Sequence, residues 1–139
     1  MAVNFAASVG AIGFLKYFGR KQLLIATMAA ATAFLVAMGV LVHYNIGLGE
    51  LVFTILYIMA FEFGPGPIVW IYMSEVMNEK GVAVATFLNW LFTLIFALTT
   101  TQIFDALNGS MFYMFACFCG AGLLFVCLFI KETKGLSEA

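Results

Sequence analysis

Long apolar runs, broken at short polar intervals, follow one another from end to end of the chain. Residues 22–42, 51–74, 82–104 and 111–130 are each apolar over about the 20 residues an α-helix needs to cross a bilayer core. Residues 1–15 form a fifth run, which at 1.5 Å per residue would reach only about 22 Å against a hydrocarbon thickness of roughly 30 Å. It reads as a spanning helix without its beginning, and the expectation is a piece of a longer protein. The intervals carry turn chemistry: Gly19-Arg20-Lys21, His43 to Glu50 with Asn45-Ile46-Gly47-Leu48-Gly49, Asn78-Glu79-Lys80-Gly81, and Asp105 to Ser110 with Asn108-Gly109. The pattern predicts an all-α, polytopic membrane bundle.

Composition sharpens this. Of 139 residues, 65% are hydrophobic and 9% charged, with a mean hydropathy of +1.10; soluble domains carry about 25% charged residues. A soluble globular domain, a disordered tail and a nucleic-acid binder are excluded, and a net charge of −1 offers no field for polyanions. The six cations are Lys16, Arg20, Lys21, Lys80, Lys131 and Lys134. If all five runs span, every one of them falls on the same side. The positive-inside rule then places that side, and the C-terminus, in the cytoplasm.

Few residues suggest chemistry. Cys117, Cys119 and Cys127 lie in one apolar run; Cys117 and Cys119 point in nearly opposite directions on a helix and read as small apolar side chains rather than metal ligands. The single His43 has no paired Cys or Asp. No nucleophile elbow, phosphate-cradling loop or ligand cluster is present, so no catalytic residue, metal or cofactor is expected and the protein is not expected to be an enzyme.

Polar groups inside the runs are more informative. Glu62 lies at the middle of 51–74, where an acidic residue costs about 2.5–3.5 kcal/mol on insertion scales. Such a residue normally faces a bundle interior or a wet cavity; the alternative is a structural carboxylate held by neighbouring hydroxyls or freed backbone. Gly64-Pro65-Gly66-Pro67 follows, and the prolines predict a kinked or unwound helix, tolerated at membrane depth only where protein buries it or water reaches it. Gly66 and Trp70 share a helical face with Glu62. Trp70 could stack on a sugar ring or anchor at the interface. Thr86, Asn89, Thr93 and Thr100 make a polar stripe adjoined by Trp90. The threonines read as interhelical glue, whereas for Asn89 glue and ligand binding are evenly matched. Asn4 and Ser8 form a short polar ridge on the first run.

These motifs have a family likeness. Phe61-Glu62-Phe63-Gly64-Pro65-Gly66-Pro67-Ile68-Val69-Trp70, with Ser74-Glu75, resembles the tenth helix of sugar porters of the major facilitator superfamily. Gly19-Arg20-Lys21 is similar to their motif between helices eight and nine, Asn89-Trp90 to their helix-eleven pair, and Glu132-Thr133-Lys134-Gly135 to the segment after helix twelve. The resemblance implies helices eight to twelve, part of the C-terminal six-helix bundle of a twelve-helix carrier. It implies a sugar site with contributions from Asn4, Glu62, Gly66, Trp70, Asn89 and Trp90, and a cytoplasmic charge network of Arg20, Glu75 and Lys80 that latches the outward-open state. Lys16 stands where the family has an acid, Val69 and Lys131 where it commonly has proline, and the loop after Glu75 is short; these departures bear on the network more than on the sugar site.

The expected function is therefore transport of a sugar, a hexose, by alternating access, in a multi-pass protein of the plasma membrane. Its partners would be the sugar, the lipid bilayer, protons if the carrier is a symporter, and the missing N-terminal half. The competing expectation is a truncated, transport-inactive membrane fragment acting as an interaction partner.

Overall fold

The computed structural model describes residues 19–131. Asn4, Ser8 and Lys16, and the Glu132-Thr133-Lys134-Gly135 segment, lie outside the described residues. Every described element is helical: α1 (Arg20–His43), α2 (Gly47–Phe63), α3 (Pro65–Val76), α4 (Glu79–Leu107), a 3₁₀ turn (Asn108–Ser110) and α5 (Met111–Phe129). Four helical stretches among the described residues are long and apolar enough to cross a membrane, α2 and α3 counting together as one of 30 residues. The first three run past their apolar blocks at both ends, because a charged or glycine-rich flank ends the hydropathy without ending the backbone hydrogen-bond ladder.

α1 is the central post, packing against both α2 and α5. Its buried Leu24, Ala31, Leu35 and Met38 recur at helical spacing and make one face. Lipid is as apolar as leucine, so helices in a membrane associate through close van der Waals fit rather than exclusion from water. Small residues supply that fit. A Cβ on Gly39 would stand 2.8 Å from Cζ of Tyr113 on α5, and one on Gly122 would stand 3.0 Å from Cε of Met28. α4 has no buried residue and meets its neighbours at α3, the 3₁₀ turn and α5.

The corners follow from local chemistry. After α1, Asn45 takes a left-handed conformation (φ 55°). The Asn45 N–H donates to Val42 O at 3.1 Å and the Ile46 N–H to Leu41 O at 3.1 Å, which satisfies two carbonyls left over at the helix end. Before α4, Asn78 caps the helix: its Oδ1 accepts the Gly81 N–H at 2.8 Å.

One end of the bundle gathers the described cations. Arg20 forms an ion pair with Glu75, Lys21 Nζ donates to Cys127 O at 3.1 Å, and Leu24, Ile68 and Val126 pack together just inside. The starts of α1 and α4 and the ends of α3 and α5 thus share that end, as the alternation of spans requires.

Candidate substrate site

The site begins with a covalent fact: Pro65 and Pro67 have no N–H, so Phe61 and Phe63 cannot be bonded by the residues four positions on. The helix breaks there. Gly64 adopts φ −128°, ψ −92°; its N–H turns to Phe61 O at 3.3 Å, while its own carbonyl accepts the Ile68 N–H at 3.1 Å. Pro65 opens α3 at a position where a missing donor costs nothing. Gly64 is buried against Thr27 of α1, so closely that a Cβ would overlap that side chain.

Glu62 lies just before the break, half-buried and midway along the 30-residue stretch 47–76. Its Oε2 comes within 3.9 Å of where a Cβ on Gly66 would be, so the carboxylate faces Gly66 across the break. Of the face expected from the spacing, Glu62 meets Gly66, while Trp70 stands with Gly66 in the groove beyond.

Past the break, α3 and α4 diverge to leave a groove of about 680 Å³. Gly66, Trp70, Asn89 and Trp90 all line it, together with Pro65, Thr93 and the apolar Phe61, Val69, Met73 and Ala85. Four of the six residues singled out for a substrate site therefore share one cleft. Glu62 is adjacent rather than in its wall, and Asn4 lies outside the described residues. Trp70 and Trp90 are 42% and 63% exposed. An apolar wall with a few amide and indole groups suits a molecule with apolar ring faces and polar edges.

Val69, Met73 and Ala85 were not among the residues expected at the site, although 66, 69, 70 and 73 repeat at helical spacing, as do 85, 89 and 93. The threonines differ from expectation. Thr93 donates to Asn89 O at 2.8 Å and Thr100 to Phe96 O, each on its own helix rather than across to another. A hydroxyl can always reach the carbonyl one turn back, which spares the cost of an unpaired donor in lipid without requiring a partner helix. Of the charge network, Arg20 and Glu75 meet. Lys80 sits at the start of α4 beside Met77 and Asn78 and forms no ion pair among the described residues.

Comparison with known proteins decides the family. The model of the family described as "Sugar (and other) transporter" matches residues 1–138. The chain belongs to that family. Among curated members of the sugar transporter family, it is 34% identical over 148 residues to the facilitated trehalose transporter Tret1 of Polypedilum vanderplanki, covering 97% of this chain and 29% of that protein. The Tret1 of Bombyx mori is 34% identical over 149 residues, with the same coverage. Among solved structures, the inward-open xylose transporter XylE from E. coli superposes with a TM-score of 0.86 at 27% identity, over 96% of this chain and 31% of that one. A D-xylose-proton symporter superposes with a TM-score of 0.84 at 25% identity, over 96% and 33%. These relatives are transporters, not enzymes, and the fold is that of part of a major facilitator carrier. The chain spans less than a third of the length of the curated relatives it matches.

Proposed function

We propose that this chain is helices eight to twelve of a sugar carrier and contributes one wall of its translocation route. In that carrier the sugar, a hexose or a molecule of similar rings, crosses by alternating access. The observation that carries the reading is the groove in which Gly66, Trp70, Asn89 and Trp90 converge beside a mid-membrane carboxylate and a broken helix. Asn89 offers donors and acceptors to hydroxyls without bringing charge into lipid. Trp70 and Trp90 close over ring faces, and Glu62 accepts hydroxyl donors from across the break. Relatives named for trehalose and for xylose support a saccharide over other solutes, and a proton accompanies it if the carrier is a symporter. The cation-bearing end, with the C-terminus, faces the cytoplasm of a plasma-membrane protein, as positive-inside placement favours.

Uptake of radiolabelled hexose by the complete carrier in transporter-null cells tests this. Asn89→Ala is expected to raise KM by roughly tenfold, the worth of one or two hydrogen bonds, and Glu62→Gln to lower uptake at unchanged surface expression. Unaltered kinetics in both variants would remove the groove from the route.

A second reading is favoured by α4, which buries none of its residues. On that reading the 139-residue polypeptide alone does not transport and engages a further membrane segment. Expression of this chain by itself, beside a fusion to the first seven helices of a relative, separates the two.

A further inference from the structure

A second recess lies at the opposite end of the bundle from the Arg20–Glu75 pair, between the α1–α2 corner and the start of α5. Its volume is about 320 Å³, at the lower edge of small-ligand pockets, which begin near roughly 300 Å³. His43 and Asn45 enter it from the corner, Ser110 and Tyr113 from α5. Its lining is thus mainly polar, whereas the central groove between α3 and α4 is mainly apolar.

Three features shape it. Asn45 is held by the two backbone bonds that close the α1 corner, so its amide is carried on a fixed backbone. Ser110 occupies the N-cap position of α5, yet its hydroxyl makes no capping bond. Tyr113 lies over Gly39, where any side chain would displace its ring. All four residues are exposed, and none of their side chains spends a polar atom on another described residue, so each is open to a ligand arriving from water. An imidazole, an amide and two hydroxyls present both donors and acceptors, and neither lysine nor arginine is in the wall. Phosphate headgroups call for cationic donors; a neutral polyhydroxyl ring calls for this set.

We propose that this recess is a carbohydrate-binding site at the end of the bundle opposite the Arg20–Glu75 pair, separate from the central groove and sized for one monosaccharide ring. It does not depend on the transport reading above. His43 is the sole histidine of the chain, so its ring signal in an NMR spectrum is an unambiguous reporter. The full 139-residue chain, reconstituted in phosphatidylcholine nanodiscs, would be titrated with D-glucose and separately with phosphocholine. The expected result is a saturable shift of the His43 signal with glucose, weakened roughly tenfold by Ser110→Ala with Tyr113→Phe, two hydrogen bonds lost, and preserved in Asn89→Ala. Tyr113→Phe alone keeps the ring over Gly39 and gives a smaller weakening if the double variant does not fold. Absence of a saturable glucose shift up to the solubility limit would overturn the proposal. So would a shift with phosphocholine instead, an unweakened shift in the Ser110 and Tyr113 variants, or its loss in Asn89→Ala, which would trace the signal to the central groove.

Discussion

A methyl group added at Gly64 would land inside the Thr27 side chain, and Thr27 cannot swing away freely because its hydroxyl is tied to Leu23 O at 2.8 Å. Gly64→Ala is therefore expected to destabilise the bundle by about 1–3 kcal/mol, the range for forcing bulk into a packed contact. Thr27→Ala removes the colliding oxygen and should recover part of that loss; thermal unfolding in detergent measures both. Asn45 makes the opposite case. Its φ of 55° costs most side chains about 1–2 kcal/mol, so Asn45→Ala should lower stability by about 1 kcal/mol while Asn45→Gly leaves it unchanged or slightly higher. Equal effects of the two would mean that the corner is held by something other than its backbone geometry.

The broken α2–α3 stretch joins local chemistry to the site. Two prolines, three and five residues after a mid-span acid, interrupt the helix, and past the interruption Gly66 and Trp70 line the groove shared with α4. Straightening it is expected to harm transport more than stability. Pro65→Ala with Pro67→Ala restores the two missing donors, so the purified carrier should unfold at an equal or higher temperature while sugar uptake falls. Uptake maintained by the straightened helix would show that the break is a packing feature with no part in the route.

Across the whole bundle, the Arg20–Glu75 pair ties the start of α1 to the end of α3, with each side chain about a quarter exposed (24% and 23%). An exposed pair is worth about 0–1 kcal/mol, too little to hold a fold but enough to bias two conformations of a rocking carrier. Arg20→Glu and Glu75→Arg singly should each reduce uptake, and the double swap should restore part of it, with a coupling of roughly 1 kcal/mol in a double-mutant cycle. Strict additivity of the two single effects would leave the pair a surface contact. The bearing of Lys80 is separate, because it makes no ion pair among the described residues.

Much of this was legible in the residues themselves. Apolar run lengths set the helices, since a backbone in lipid must satisfy its own hydrogen bonds. Pro65 and Pro67 set the break because neither can donate, and Glu62 stood out because lipid makes a carboxylate expensive. Position within a helix, however, says only which residues share a face. Which faces meet depended on where small side chains allow close approach: Gly39 under Tyr113 and Gly64 against Thr27 bring α1 to α5 and to the break. Beyond the break, α3 and α4 diverge with Asn89 and Trp90 lining the same groove as Gly66 and Trp70, and Glu62 lies beside that groove rather than in its wall. Thr93 and Thr100 bond back onto their own helix, a choice open to every hydroxyl in lipid that helical spacing alone does not reveal.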